Sequence, residues 1–371
     1  MADIIKVGIT PGDFNGIGYE IIIKSLSDAT ILEIFTPIIY GIPSLIEKAR
    51  IICEITEMPF NIITDPKDIE DGKINILAIS NKEIEPTPGT ISKVAGELAA
   101  LSLEKATNDL KKGLIDVLVT APISKEAIQG NNFSFPGHTE YLESVTESDE
   151  KALMILCNDS LRVALLTIHV PITKVAESIT TENIKKTISI FSSSLKKDFG
   201  IERPTIAVLS LNPHAGDGGV IGTEEEEIIK PAIIELQQEG DLVFGPFPAD
   251  GFFGHGSYKA YDGILAMYHD QGLAPFKTIA ASTGVNFTAG LPFIRTSPDH
   301  GTAFDIAWKG IADETSMRNA IYMAIDIYRK RRTYVEATAN PLKKHVIEKP
   351  DRGERQDKPL KLTNLSDNGN D

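Results

Sequence analysis

"TPGDFNGIGYEI", residues 10–21, follows the apolar run "IIKVGIT" (4–10) and leads into a helical pattern. The chain therefore opens as strand, glycine-rich turn and helix. Three glycines in such a turn raise the question of a dinucleotide cradle. The Rossmann fingerprint is G-x-G-x-x-G, with an acidic residue at the end of the second strand to hold a ribose. Here the glycines are Gly12, Gly16 and Gly18, and position 21 is Ile. The second apolar run, "FTPIIY" (35–40), ends in Tyr40 and Gly41, not in a carboxylate. The turn fails the fingerprint on both counts, and its glycines are expected to allow a tight strand-to-helix connection.

The same alternation continues along the chain. Runs of strand length are "IDVLVT" (115–120), "ALMILC" (152–157), "RVALLT" (162–167), "TIAVLSL" (205–211) and "GILAMYH" (263–269). Between them lie helical periods: Ile91, Val94, Leu98 and Leu101 on one face of a helix starting near Thr90, and Met317, Ile321, Ile325 and Tyr328 on another. Thr223 and Glu226 have the spacing of a capping box, and Glu224–Glu227 are expected to stabilise that helix N-terminus. Alternation of this kind predicts an α/β fold with mainly parallel strands. Beyond residue 346 the sequence turns polar, with Pro and Gly and no period, so 346–371 is expected to be a disordered tail.

Composition narrows the function classes. A net charge of −15 over 371 residues leaves no basic surplus for a nucleic-acid partner. Cys53 and Cys157 form no CxxC pair, which fits a reducing compartment. No apolar run approaches the ~20 residues of a membrane span. A cytoplasmic protein is expected, and no membrane or nucleic-acid partner.

Three histidines stand at the ends of strand-like runs: His169 in "LLTIHVP", His214 in "LSLNPHAGDGG" and His269 in "LAMYHDQG". In open α/β sheets the ligand crevice lies beyond the carboxyl ends of the strands, so the three imidazoles can converge there. Such a set would hold a divalent ion (Zn, Co, Mn or Mg) with open positions left for substrate. Asp270 and Asp250 are candidates for charge balance or for orienting a ligand, or for capping turns. Lys277, Asn286 and Arg295 follow in "APFKTIAASTGVNFTAGLPFIRTSPDHG", where basic side chains among glycines suit anion capture. His138 and Thr139 open a helical pattern in "FPGHTEYLESV" and could hold a phosphate, or Thr139 could cap the helix. Lys125, in "TAPISKEAI", reads more as structural than as a ligand contact.

Taken together, "TPGDxxGIGxE", "TAPISKE", "GHTEYL", "LNPHAGDGG", "MYHDQGLAPFK" and "GVNFTAGLPFIRTSPDHGTAFDIA" resemble the 4-hydroxythreonine-4-phosphate dehydrogenase family of vitamin B6 biosynthesis, over residues 4–335. The resemblance implies oxidation and decarboxylation of 4-phosphooxy-L-threonine to 3-amino-2-oxopropyl phosphate with NAD or NADP. It implies metal ligands His169, His214 and His269, and substrate contacts His138, Thr139, Lys277, Asn286 and Arg295. Catalytic roles would fall to Lys277, in proton transfer or substrate anchoring, and to Asp270. It further implies a homodimer with the active site at the subunit interface and ligands from both chains.

"GDFNGIGYEI" and "DHGTAFDIAWKGIAD" are similar to segments of the isocitrate and isopropylmalate dehydrogenases. That wider kinship implies a non-Rossmann fold: residues 1–338 as one catalytic unit of two interleaved α/β subdomains with a cleft between them. It also implies cofactor contacts at His300, Gly301 and Thr302. The sequence departs from the family at Phe14-Asn15, Tyr19 and "ADGFFGHG", which adds His255. A paralogous 4-phospho-D-threonate or 4-phospho-D-erythronate dehydrogenase is the near alternative, and a metal-dependent hydrolase the distant one.

Overall fold

The structure, a computed structural model, describes residues 4–55, 57–130, 133–146 and 151–342. The expected polar tail, 346–371, lies outside the described residues.

Twelve strands form one continuous sheet: β1 (Ile5–Thr10), β2 (Phe35–Gly41), β3 (Phe60–Ile63), β4 (Ile74–Ala78), β5 (Val117–Thr120), β6 (Leu153–Cys157), β7 (Arg162–Leu165), β8 (Thr205–Leu209), β9 (Leu242–Phe247), β10 (Gly263–Ala266), β11 (Val285–Ala289) and β12 (Arg295–Pro298). Their order across the sheet is β3-β4-β2-β1-β5-β12-β11-β6-β7-β10-β8-β9. Neighbours run parallel except at β12/β11, β11/β6 and β6/β7. Three reversals in succession leave the two parallel blocks, β3 to β12 and β7 to β9, running in opposite directions. The central strands of each block are almost wholly buried runs of Ile, Val, Leu and Ala. Such runs are expected where helices cover both faces of a parallel sheet.

The opening turn is a packing device. Gly12 has φ +69°, and a Cβ there would lie 2.1 Å from the carbonyl oxygen of Pro122, so only glycine fits between the ends of β1 and β5. Ile17 N donates to Thr302 O at 3.1 Å, and a Cβ on Gly16 would stand 2.8 Å from that same oxygen. From the following helix, Gly18–Ser25, the buried Glu20 accepts the backbone N–H of Trp308, and that of Gly310 at 2.8 Å. Lys24 Nζ donates to Gly310 O and Ala312 O, both at 2.7 Å, and Trp308 Nε1 donates to Phe14 O at 2.7 Å. The N-terminal turn thus clamps residues 302–312. Asn15, one of the departures from the family pattern, fastens a second loop: its side chain accepts from Thr87 N and donates to Thr90 O, both at 2.9 Å.

Two expectations about helices are corrected. The expected face of the helix Lys93–Lys111 is buried only in part: Leu98 and Leu101 are half-buried against the core, whereas Val94, and Ile91 just before the helix, are each 52% exposed. The helix buries Ala95, Ala99, Leu103 and Ala106, because small residues let it approach the sheet and the 125–128 helix closely. Thr223 and Glu226 form no capping box. The chain there makes a π turn, Glu225–Ile229, and within the acidic run Glu225 is fully buried. The final helix, Thr315–Thr338, buries Met317, Ile321 and Ile325 as the period predicts.

Candidate active site

A cavity of about 530 Å³ opens over the face of the sheet where the strand direction reverses. Its floor is set by register: Asn286 of β11 stands opposite Leu156 of β6 and Ser297 of β12, and all three line the cavity. Two residues along β12, Arg295 comes onto the same face. Its Nε and Nη2 donate to Thr120 Oγ1 at 3.1 and 2.7 Å, and its Nη1 donates to Thr288 Oγ1 at 3.1 Å. The residue is 3% exposed and forms no ion pair among the described residues. Burial lowers its pKa to about 10, opposed by the nearby Glu140 carboxylate, so the guanidinium is charged at neutral pH. A buried cation with only hydroxyl partners is costly unless an anion joins it.

His138 and Thr139 reach the same cavity from the helix His138–Ser144. Burial, and then the Arg295 charge, push the His138 pKa well below the ordinary histidine value, which leaves the ring neutral. Thr139 is not the helix cap; that position belongs to Gly137. His138 Nε2, Asn286 Oδ1 and His300 Nε2 are buried without a hydrogen-bond partner among the described residues, and all three residues line the cavity. Unsatisfied polar atoms gathered in one cavity mark where a polar ligand is expected.

Lys277, near the end of the helix His269–Ala280, pairs with Asp299 at 3.4 Å. Burial raises the Asp299 pKa, and Lys277 draws it back down. Lys125, expected to be structural, lines the cavity instead, and its charge helps depress the pKa of His169. Ser124 caps its short helix by accepting from Ala127 N, so Lys125 is not needed to start it.

The three histidines separate into a pair and a single. His169 and His269 line the cavity together, with ring centroids 6.4 Å apart. Asp270 Oδ1 lies 2.6 Å from His269 Nδ1, which directs Nε2 outward. Burial, first, lowers the His169 pKa and favours the neutral, ligand-competent ring. His214 lines a different cavity, of about 550 Å³, with Asp250, Tyr268 and Asp270. A small cavity containing His169, His269, Tyr268 and Asp270 lies between the two. Among the described residues no three His, Cys, Asp or Glu side chains are placed to hold a metal. Convergence of all three imidazoles within a single chain, the expectation from strand ends, is therefore not what this chain forms. His169 and His269, facing one cavity, still fit a divalent ion as an incomplete donor set.

Of the cofactor candidates, His300 and Gly301 line the main cavity, whereas Thr302 lies outside its lining, packed against Gly16. His255 turns its Nδ1 to Gly251 O at 2.8 Å and lines none of these three cavities. Sequence reading missed Thr120, Thr288, Glu140, Asp299 and Glu225. Asp299 stands next to the cavity residue His300 in "PDHG", and an acid beside a histidine is a readable signal. The two threonines carry no signal outside the register of the sheet.

The chain matches the family described as pyridoxal phosphate biosynthetic protein PdxA over residues 33–324. It is 50% identical over 347 residues to a 4-hydroxythreonine-4-phosphate dehydrogenase of Bacteroides thetaiotaomicron, covering 94% of this chain and 95% of that one. It is 41% identical to a putative D-threonate 4-phosphate dehydrogenase of Oceanobacillus iheyensis, over 86% of this chain and 97% of that one. Among solved structures, a 4-hydroxythreonine-4-phosphate dehydrogenase of Klebsiella pneumoniae superposes with a TM-score of 0.76 at 36% identity, covering 88% of this chain and 98% of that one. By sequence and by fold, the chain belongs to the PdxA family.

Proposed function

We propose that this protein oxidises and decarboxylates 4-phosphooxy-L-threonine to 3-amino-2-oxopropyl phosphate and CO2, with a nicotinamide cofactor and a divalent ion. The observation that carries the reading is Arg295, a buried guanidinium with no carboxylate in hydrogen-bond contact among the described residues, beside the orphaned His138 Nε2. Such a floor suits a dianionic phosphate more than a neutral ligand. When bound, the cofactor supplies the hydride acceptor and the ion supplies Lewis acidity at the alcohol oxygen.

The chain's own residues do the rest. Arg295, His138 and Thr139 hold the phosphate, and Asn286 orients the backbone of the substrate through its free Oδ1. Loss of hydride from C3 and of the hydroxyl proton gives a β-keto acid. Cleavage of the C1–C2 bond releases CO2 and leaves an enolate, which takes a proton at C2. Lys277, paired with Asp299 at the same cavity, delivers that proton or anchors the substrate in this reading. His300 and Gly301 meet the cofactor, with Thr302 fixing their loop on the N-terminal turn. His169 and His269 hold the ion, and Asp270 orients His269.

We further propose that His214 completes the ion site across a homodimer interface. Val170 and Ile172, which line the cavity of His169 and His269, and Val220, at the end of the loop that carries His214, are exposed apolar residues, Val220 at 81%. Exposed apolar residues on these loops suit burial by a second copy. No described helix is long and apolar enough to cross a membrane, and both cysteines are unpaired; residues 1–338 form the catalytic unit of a cytoplasmic enzyme in this reading.

The 41% relative named for D-threonate 4-phosphate keeps one competitor in view. Incubation with a divalent ion, NAD or NADP and each candidate substrate, followed by NADH or NADPH absorbance, separates them. Turnover is expected with 4-phosphooxy-L-threonine at a kcat/KM well above that for 4-phospho-D-threonate or 4-phospho-D-erythronate. The reverse preference would overturn the substrate, and phosphate release without cofactor reduction would overturn the dehydrogenase reading in favour of hydrolysis.

A further inference from the structure

The loop that carries His214 is built from six consecutive residues of positive φ, ending at Gly219 (φ 96°). His214, Ala215, Gly216, Asp217 and Gly218 have φ of 53°, 53°, 78°, 45° and 63°. Three of them carry a Cβ, for which this conformation is unfavourable. Strain of this kind persists only where the surroundings over-determine it.

Glu225 supplies that constraint. It is fully buried in the π turn that follows the loop. Its Oε1 accepts the backbone N–H of Leu211 at 2.8 Å and of Asn212 at 2.7 Å. Its Oε2 accepts from Asn212 Nδ2 at 2.9 Å, and that amide also donates to Glu224 Oε2 at 2.8 Å. A Cβ on Gly216 would stand 2.7 Å from Glu225 Oε2, so the carboxylate is packed against the left-handed turn itself. Ile221 N donates to Gly216 O at 3.0 Å and closes the loop. The other acids of the run behave differently: Glu226 pairs with Lys230 on the surface, and Glu227 is exposed.

We propose that Glu225 is a positioning residue for His214: its carboxylate holds the strained loop so that the imidazole is presented to the metal. The proposal rests on the reading of His214 as a metal ligand. A carboxylate used only to stabilise a helix N-terminus would face solvent, as Glu227 does. This one is turned back onto the two residues preceding Pro213-His214.

The test is Co2+ affinity of the full-length protein, by chelator competition, with the visible Co2+ spectrum and the melting temperature recorded for each variant. Glu225→Gln is expected to weaken Co2+ binding by about 10–100-fold, as loss of an orienting partner does, and to change the Co2+ bands. Glu227→Gln should leave both unchanged. In a His214→Ala background, Glu225→Gln should weaken binding by no more than about twofold further, since its effect passes through the missing imidazole. Wild-type affinity in Glu225→Gln would overturn the proposal while leaving the ligand reading intact. Multiplying losses in the double variant would also overturn it, because Glu225 would then act on the fold at large. Wild-type affinity in His214→Ala would remove the ligand reading and this proposal with it. Should Glu225→Gln not fold, Asn212→Ala, which removes the side-chain amide bonded to Glu224 and Glu225 but keeps the backbone N–H to Glu225, is judged by the same outcomes.

Discussion

Glu20 and Arg295 are both buried charges, yet their surroundings are opposite in kind. Glu20 accepts the backbone N–H groups of Trp308 and Gly310, near Lys24, in a network that fastens the N-terminal turn to residues 302–312. Arg295 meets two threonine hydroxyls and no carboxylate, at the floor of a cavity with unsatisfied polar atoms. The first charge is fully used by the fold, whereas the second keeps hydrogen-bonding capacity for a ligand. Stability and function should therefore separate when each is altered, since sites organised for a ligand are rarely optimal for folding.

Arg295→Met carries the largest expected effect. Removing a charged partner of a bound anion costs about 2–5 kcal/mol of binding, or on the order of 10²–10³ in kcat/KM. Stability should hold or rise, because a buried charge with no carboxylate in contact among the described residues is replaced by an apolar chain. Steady-state kinetics and thermal melting on one preparation check both halves. A variant that loses several degrees of melting temperature while keeping its kcat/KM would break the comparison.

Glu20→Gln should show the converse. The amide retains one acceptor oxygen for two backbone N–H groups and turns a donor toward the other, a loss of about 1–3 kcal/mol. Lower stability and a raised KM for the nicotinamide cofactor are expected, with kcat at saturation nearly unchanged. A fall in kcat with an unaltered melting temperature would place Glu20 in the chemistry and not in the clamp.

The contrast between these charges also explains what the sequence could show. His138, Thr139, Lys277, Asn286 and Arg295 were readable because basic and polar residues stood among glycines and apolar strands, and the sheet brings all five to one cavity. The strand runs were readable because each is a local apolar block. Glu225 was not, since its partners Leu211 and Asn212 precede it across a strained loop and its neighbours are ordinary surface acids. Thr120 and Thr288 were hidden for a similar reason: only the register of β5, β12 and β11 aims them at one guanidinium. The separation of His214 from His169 and His269 was illegible too, because a strand-end rule places residues on an edge without fixing which loop turns inward.

The smallest expected effect sharpens the one face that sequence periodicity misassigned. In the helix Lys93–Lys111, the apolar residue Val94 is 52% exposed, while Leu103 is buried with Ala99 and Ala106. Leu103→Ala should cost about 2–5 kcal/mol through lost contacts and a residual cavity. Val94→Ser lies on the outer face and should stay within about 0.5 kcal/mol of wild type. Denaturant titration of the two variants measures the difference directly. Equal losses would mean that the outer face is covered in solution, and the partner covering it would have to be a second copy or another protein. A larger loss at Leu103 alone would assign close packing against the sheet to the small-residue face, where a Cβ on Gly96 would stand 1.8 Å from the carbonyl oxygen of Ala127. That approach holds the helix Lys125–Ile128, and with it Lys125, at the edge of the candidate active-site cavity. The residues that hide the helix from periodicity are thus the ones that bring a cation to the site.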